Sequence, residues 1–217
     1  MKDINSVGVC LITGFEEVEA LMQIDILRRA GFSVRTISLT GKDTVTGQQK
    51  VTAKADILFE DVDFDSIDML ILPGGGLGVI NMHSHEGLHK VILRFDELRK
   101  PIAAICAAPT LLGSLGLLEG RSATCYPGME SKLTGADVSS AQVVIDGHII
   151  TSRSVGTALY MAITIIEICK GFDAAKKIAA AIDASLSFLT YRQSRPDQPF
   201  SLRYPDGQCL IEMNYKK

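Results

Sequence analysis

The stretch over residues 101–110 constrains the fold most, because a short apolar strand, Ile102–Ile105, runs directly into Cys106 and then into a helix start. Pro109 suits the first helical turn, where its missing N–H costs no hydrogen bond. A side chain at such a sharp strand-to-helix turn projects from the end of a sheet, and the turn needs small neighbours on both sides, here alanines. The stretch therefore predicts a βα unit with Cys106 at its turn.

Cys106 is a candidate nucleophile because of this position. The free N–H groups and the positive dipole end of the following helix favour a thiolate, so we expect them to lower the pKa of the thiol. The alternative is a structural cysteine, since free cysteine is among the most buried residue types. Cys10 and Cys169 fall inside apolar or helical runs, as structural cysteines do, whereas Cys106 falls at a break. The position thus favours a reactive cysteine.

Short β-branched runs alternate with helical periodicity, which is the pattern of βαβ units around a mainly parallel sheet covered on both faces. We predict an α/β fold with its main domain over residues 1–185. Residues 186–217 are predicted to form an extension with a linker at 194–199 and a β-hairpin, docked on the main sheet or a partner because a lone hairpin is marginal in water. The predicted strands cover residues 7–12, 33–39, 69–72, 102–105 and 149–151, with one or two more within 51–59 and a hairpin partner at 141–145 joined by an Asp146-Gly147 turn; the predicted helices cover 16–30, 85–99, 110–115, 156–170 and 173–185.

Composition excludes several classes of protein. The net charge of −3, without a basic stripe, does not indicate a nucleic-acid groove. The five cysteines are scattered without a C-x-x-C pair, which argues against a disulfide framework or zinc site and for a reducing compartment, by default the cytoplasm. The first apolar run, Val7–Ile12, is too short for a signal peptide, and no run approaches membrane-spanning length. We expect a soluble protein without a metal.

A glycine-rich loop, Pro73–Gly78, follows the apolar strand at residues 69–72. It falls at the carboxyl end of a strand, where open α/β sheets bind ligands. Backbone donors of Gly75 and Ala107 could form an oxyanion hole for a carbonyl attacked by Cys106. The spacing is not that of a dinucleotide or phosphate loop. A plain turn is the alternative, since glycine-rich loops are common.

Four separated segments carry a family pattern: residues 14–19 (Gly-Phe-Glu-Glu-Val-Glu), 72–75 (Leu-Pro-Gly-Gly), 103–109 (Ala-Ala-Ile-Cys-Ala-Ala-Pro), and 151–153 with 156–157 (Thr-Ser-Arg, Gly-Thr). Together they resemble the DJ/ThiJ/PfpI superfamily, specifically the branch of the Parkinson's-associated protein deglycase and its bacterial relatives. The resemblance spans residues 5–172. It implies a flavodoxin-like, Rossmann-like three-layer sandwich, a homodimer, no cofactor, and a cysteine at the elbow that is both nucleophile and redox-sensitive group.

Glu19 is the second candidate catalytic residue, because a glutamate in the first turn of a helix after the first strand could reach the elbow. Buried beside a thiolate, its carboxyl group would be held protonated by desolvation and like-charge repulsion, and would donate a hydrogen bond to the sulfur. Glu16 and Glu17 are expected only to complement the helix dipole, which is also the alternative for Glu19. The resemblance assigns Glu19 a contact with the cysteine and a role as proton donor and acceptor.

Tyr126 departs from the family pattern, since some relatives have a histidine at this position. The four histidines lie at 83, 85, 89 and 148, and we expect none beside the elbow. A cysteine peptidase or amidase needs a general base, so that activity loses support. Tyr126 is predicted either to donate a hydrogen bond to a carbonyl oxygen or to pack over the pocket mouth.

Arg153 begins a second departure, because many relatives have Gly-Pro where this chain has Ser154-Val155. Arg153 is predicted to orient a substrate oxygen in a pocket with Gly74 and Tyr126, or to pair across a dimer; a solvated surface arginine is the alternative. Asp25 and Arg28 resemble interface residues of dimeric relatives, or form one i,i+3 ion pair.

Two function classes follow from these residues. One is an enzyme: Cys106 adds to the aldehyde of methylglyoxal or glyoxal, Glu19 shuttles protons, and hydrolysis releases lactate or glycolate without glutathione. The resemblance also implies a related activity, the repair of glycated amino groups. The other is a stress protein without turnover, in which oxidation of Cys106 to a sulfinate changes a sensor or chaperone state.

Overall fold

A mainly parallel sheet runs through the centre of the protein in a computed structural model that describes residues 4–184, 200–203 and 209–214. The helices α1 to α6 span Glu17–Arg29, Gly76–His83, Glu86–Glu97, Pro109–Ser114, Ala158–Lys170 and Phe172–Ala181. The strands β1 to β13 span Ser6–Leu11, Ser33–Ser38, Thr44–Thr46, Thr52–Lys54, Ile57–Leu58, Met69–Leu72, Ile102–Ile105, Ser122–Ala123, Asp137–Val138, Val143–Asp146, Ile149–Ser152, Phe200–Arg203 and Cys209–Asn214.

The strand order of the main sheet is β12-β13-β10-β11-β7-β6-β1-β2-β5. Each neighbouring pair from β11 to β5 is parallel. The chain leaves β1 to one side for β2 and returns on the other side for β6, so the strand order reverses at β1. In open α/β sheets, ligands bind beside the carboxyl ends of the strands at such a reversal. The loops after β1, β6 and β7 meet at this end.

Alternating side chains of the central strands build two apolar cores. Along β1, Val9 and Leu11 pack into the cluster that holds α1, α5 and α6, whereas Cys10 and Ile12 pack into the cluster that holds α3 and α4. This is the period of two that a strand imposes. Both β6 and β7 are buried along their whole length, as expected for strands covered on two faces. The predicted three-layer α/β sandwich is confirmed.

Most predicted elements agree with the structure to within two residues, but three predictions are wrong in detail. The helix predicted over residues 173–185 ends at Ala181. The segment Gly76–His83 is helical although its glycines gave no helix signal. In the hairpin of β10 and β11, Asp146 pairs with Ile149, so the two-residue turn is Gly147-His148 rather than Asp146-Gly147. Gly147 has the positive φ, 63°, that the turn requires.

The chain beyond α6 adds two strands to one edge of the sheet. Strand β13 pairs parallel with β10 and antiparallel with β12. The hydroxyl of Ser139 donates to the carboxylate of Glu212 in β13 at 2.6 Å. The predicted linker at 194–199 and the residues between the two strands lie outside the described residues, and the division at residue 185 stays a prediction. Among the described residues, no helix has the length and apolar character needed to cross a membrane.

Candidate active site

Cys106 occupies a tight turn between β7 and α4. Its φ of +66° lies in the left-handed region, which non-glycine residues rarely adopt. Three backbone hydrogen bonds hold this turn. Cys106 N–H donates to Ser152 at 3.0 Å, Tyr126 N–H donates to the Cys106 carbonyl at 2.7 Å, and Ala108 N–H donates to Ile105 at 3.1 Å. The predicted elbow is confirmed, and its strained backbone aims the thiol out of the end of the sheet.

Glu19 reaches the elbow from the first turn of α1, as predicted. Its side chain is fully buried, with an exposed fraction of 0%. One carboxyl oxygen, Oε2, accepts the N–H of Gly74 at 2.8 Å, and the carboxyl group also interacts with the Cys106 thiol. Burial, and secondly the nearby charge of Glu16, raise the pKa of Glu19 to about 7 against the lowering effect of the hydrogen bonds. The carboxyl group is therefore close to half protonated at neutral pH.

Gly74 is a glycine because no side chain fits between the thiol and the carboxyl group. A Cβ atom there would lie 2.5 Å from Cys106 Cβ and 2.6 Å from Glu19 Oε2. Both distances are far shorter than a van der Waals contact. Gly74 thus sits behind the pair of Cys106 and Glu19, rather than lining the pocket over the sulfur as predicted.

The N–H groups of Gly75 and Ala107 hydrogen-bond the Cys106 side chain itself. Both lower its pKa, but burial and the Glu19 carboxylate outweigh them and raise the pKa of the thiol to about 12. The expectation of a lowered thiol pKa was wrong, because it counted the helix start and left out burial and the neighbouring charge. Glu19 and Cys106 instead form a coupled acid pair, in which Glu19 ionises first.

A pocket of about 1100 Å³ opens over the sulfur. Of the predicted site residues, Glu19, Gly75, Cys106, Ala107 and Tyr126 line it. Arg153 lies elsewhere. Its guanidinium donates to the Ser140 carbonyl at 3.0 Å, and it is not among the residues that line the pocket, contrary to the prediction. The neighbouring Ser154 and Val155, which replace the Gly-Pro of the relatives, do line the pocket.

Tyr126 is at the pocket wall with 47% of its surface exposed. This position suits either predicted role, donation to a substrate oxygen or packing at the mouth. Cys125 is buried, and its thiol donates to the Tyr126 carbonyl at 3.4 Å. Burial, followed by the charge of Glu130, raises the pKa of Cys125 to about 11. Both features favour a structural role for Cys125 over a reactive one.

Glu17 does more than complement the helix dipole. It is buried, and its Oε1 accepts the N–H groups of Gln49 at 2.7 Å and Val51 at 3.2 Å. These bonds hold the loop that carries Gln48, a pocket-lining residue. The spacing of an acidic pair at a helix start could not reveal this contact, because the loop lies more than thirty residues further along the chain.

His83 also lines the pocket, although the sequence placed no histidine near the elbow. It comes from the end of α2, the helix that the glycine content concealed. The predicted ion pair of Asp25 with Arg28 is wrong as well. Asp25 pairs with Arg29 at 2.8 Å, and Arg28 pairs with Asp56 at 2.8 Å, so the two residues belong to separate ion pairs. Their place in a dimer interface stays a prediction.

Comparisons with known proteins agree with this geometry. The chain is 39% identical over 160 residues to Protein DJ-1 homolog B of Arabidopsis thaliana, covering 73% of this chain and 36% of that protein. It is 37% identical over 179 residues to the Parkinson disease protein 7 homolog of Danio rerio, covering 80% and 94%. A protein named as a deglycase from Pyrococcus abyssi is 34% identical over 144 residues, covering 65% and 86%.

A solved structure shows the same similarity. The crystal structure of Drosophila melanogaster DJ-1beta superposes with a TM-score of 0.80 at 33% identity, covering 85% of this chain and 100% of that chain. The family model described as the DJ-1/PfpI family matches residues 5–168, which contain the elbow, Glu19 and the glycine-rich loop. The chain belongs to the DJ-1/PfpI family.

Proposed function

We propose that this protein is a cofactor-independent, cysteine-dependent enzyme that converts reactive α-oxoaldehydes such as methylglyoxal to 2-hydroxy acids. The observation that supports this most is a strained, accessible Cys106 beside a fully buried Glu19 whose pKa is raised to about 7. A pKa near the working pH suits a group that must both accept and donate a proton in one cycle. The name of the Pyrococcus abyssi relative, a deglycase, supports a chemistry of this kind.

The first step is addition of the Cys106 sulfur to the aldehyde carbon. As the C–S bond forms, the thiol proton passes to the Glu19 carboxylate, and the carbonyl electron pair moves to the aldehyde oxygen. Glu19 then returns the proton to that oxygen and gives a hemithioacetal. The carboxyl group needs no movement for this step, because the thiol already contacts it.

Rearrangement and hydrolysis complete the cycle. Glu19 removes the hydrogen of the former aldehyde carbon as a proton and delivers it to the adjacent carbonyl carbon, while the oxygens exchange one proton. The product is a thioester of a 2-hydroxy acid on Cys106. Water adds to the thioester, the C–S bond breaks, lactate leaves, and the Cys106 thiol is regenerated. One water is consumed for each methylglyoxal.

The backbone donors of Gly75 and Ala107 contribute by holding the sulfur as its charge develops. They face the sulfur rather than an empty position for a carbonyl oxygen, so their role differs from the predicted oxyanion hole. The hydroxyl of Tyr126 is the side-chain donor at the pocket wall that we assign to the substrate oxygen. Such a donor accelerates the reaction without taking the proton from sulfur.

The test is lactate formation from methylglyoxal by the purified protein in the absence of glutathione. We expect Cys106→Ser and Glu19→Gln to abolish turnover, Tyr126→Phe to reduce it, and the control Cys125→Ser to retain it. Equal rates for the wild type and Cys106→Ser would exclude the enzyme proposal. The same assay on glycated N-acetyl-lysine asks whether the protein also releases amines from their aldehyde adducts.

A second candidate function is redox sensing or a chaperone state set by oxidation of Cys106. It is favoured by the ring of polar groups around one sulfur: the N–H groups of Gly75 and Ala107 and the Glu19 carboxyl group. Two equivalents of peroxide convert the thiol to a sulfinic acid and release two waters. We assign the two N–H groups as donors to the new oxygens.

Mass spectrometry after mild peroxide treatment tests this second function. We expect added oxygen on Cys106 before it appears on Cys10, Cys125, Cys169 or Cys209. Cys10 and Cys125 are buried, which supports this order. Uniform oxidation of all five would count against a sensor.

A homodimer and a reducing, cytoplasmic setting complete the proposal. Val18 and Leu21 in α1 are each 45% exposed, an apolar surface that a second copy of the chain would cover. The cysteines whose side chains are described are free, in keeping with a reducing compartment. Light scattering of the wild type and of Leu21→Glu tests the dimer, which the charge should dissociate.

A further inference from the structure

The pocket continues as a groove between α2 and α4 that leads away from the sulfur. Both helices begin beside Cys106, because N–H groups just before each helix contact its side chain. At about 1.5 Å of rise per residue, the eight residues of α2 and the six residues of α4 extend about 12 Å and about 9 Å from the helix starts. The lining residues recur at helical spacing: Gly76, Val79, Ile80 and His83 from α2, and Thr110 and Ser114 from α4, with Ala107 just before it.

The two ends of this groove differ in charge. Glu16 and Glu19 lie at the sulfur end. The far end holds Lys132 and His83, the basic residues that line the described pocket, with hydroxyl groups around them. An anionic group is repelled from the first end and attracted to the second, so the groove orients any molecule with one charged terminus. The hydroxyl-bearing residues at the far end are Ser114, Ser131 and Thr134.

Nothing within the described protein competes for Lys132. It is exposed, and no ion pair among the described residues involves it. The carbonyl groups at the nearby helix ends are occupied, since the Leu111 carbonyl accepts from Leu115 and the Met82 carbonyl accepts from His85. The ammonium group is therefore available to a ligand.

His83 provides a second donor at the same end. Burial, followed by the charges of His89 and Lys132, lowers the pKa of His83. This shift favours the neutral imidazole, which has one N–H group to donate, whereas an arriving anion would favour the charged form. The hydroxyl of Ser114 already donates to the Leu111 carbonyl at 2.8 Å. A lysine, an imidazole and the hydroxyl groups of Ser131 and Thr134 match the several acceptor oxygens of a phosphate monoester.

We propose that the far end of the groove binds the phosphate of a phosphorylated aldehyde whose carbonyl carbon reaches Cys106. This inference rests on the proposed addition of Cys106 to aldehydes and names a substrate class for it. Methylglyoxal is too short and carries no charge, so it occupies only the sulfur end. A triose phosphate is longer. With its aldehyde at Cys106 and its phosphate bound by an extended Lys132 side chain, it spans the groove.

The experiment compares glyceraldehyde 3-phosphate with glyceraldehyde, which differ only in the phosphate. Each is tested as a protectant of Cys106 against alkylation by iodoacetamide, followed by mass spectrometry of the Cys106 peptide. We expect the phosphorylated aldehyde to protect at an about tenfold lower concentration, the effect of one charge-assisted contact. Lys132→Met should remove this advantage and leave protection by glyceraldehyde unchanged, whereas the exposed control Lys90→Met should keep both.

Calorimetry with glycerol 3-phosphate, which has the phosphate but no aldehyde, separates the two proposals. Lys132-dependent binding of this probe without protection by either aldehyde would remove the proposed function and leave the anion site. Protection by both aldehydes at equal concentrations, or an advantage that persists in Lys132→Met, overturns the anion site and leaves the proposed function. His83→Gln, expected to retain part of the advantage, checks that the effect belongs to this end of the groove.

Discussion

Replacing Glu19 with glutamine should stabilise the folded protein at pH 8. The folded state raises the pKa of this carboxyl group from 4.5 to about 7, chiefly by burial. Since a tenfold change in proton affinity corresponds to about 1.4 kcal/mol, ionised Glu19 costs the fold about 3 kcal/mol. Glutamine has a similar shape and carries no charge, and its carbonyl oxygen keeps the bond from Gly74 N–H.

The sign of this effect fixes its pH window. Below pH 4.5 the carboxyl group is protonated in both the folded and the unfolded chain, so Glu19 and glutamine differ little. Between pH 4.5 and about 7 the folded state holds its proton and the unfolded state does not, so the wild type loses stability as pH rises. Above about pH 7 the full difference is present.

Urea unfolding followed by circular dichroism at pH 5, 6, 7 and 8 measures the free energy of unfolding of both proteins. We expect their difference to grow between pH 5 and 7, to reach up to about 3 kcal/mol, and then to level off. Repeating the series in a Cys106→Ser background removes titration of the thiol, and the exposed control Glu97→Gln should stay within about 0.5 kcal/mol of wild type. A difference that is independent of pH, or a glutamine variant that is less stable at pH 8, would refute the argument.

Three further predictions concern the same site. Gly74→Ala should cost about 1–3 kcal/mol in urea unfolding and abolish turnover, because its Cβ collides with Cys106 and Glu19; the control Gly156→Ala, which meets open space, should do neither. Turnover of methylglyoxal should rise with pH through about 7 as Glu19 ionises and becomes the base; a rate that is flat between pH 6 and 8 would exclude Glu19 from that role. Glu17→Ala should lower the free energy of unfolding by about 1–3 kcal/mol, because it leaves two backbone N–H groups of the 47–51 loop without an acceptor. The same variant should raise KM more than it lowers kcat, and an unchanged KM would show that this loop does not position Gln48.

The sequence carries the fold because its signals are local. The elbow can be predicted from ten consecutive residues, in which an apolar strand is followed by a cysteine and then by a proline at the first position of a helix. The run Met69–Leu72 reads as a strand because it is apolar throughout and ends at a proline. Helix α2 was not predicted because its local signal is weak. The glycines that allow its first turn to approach the Gly14 carbonyl also lower its helix propensity.

The chemistry of the site depended on distances that no local pattern contains. That Glu19 meets Cys106 was predicted from parallel strands ending on one side and from the family resemblance. The direction of the thiol pKa was not predictable in this way, because it depends on how burial and one carboxylate weigh against two backbone donors. His83 lines the pocket because it lies on a helix that was not predicted. Arg153, which was predicted in the pocket, instead bonds to Ser140.

Three features of this site oppose folding at one point in the molecule. Cys106 holds a left-handed backbone, Glu19 is buried with a charge above its pKa, and Gly74 gives up a side chain to let them meet. Each would be easy to relieve by one substitution, and the fold has no structural need for any of them, since β7 and α4 could join through a glycine. Strain of this kind persists where it positions reacting groups, and here all of it acts on the distance between one sulfur and one carboxyl group. The two candidate functions both require this short distance. The rate at which Cys106 reacts with an aldehyde, compared with its rate of oxidation by peroxide, therefore decides between them.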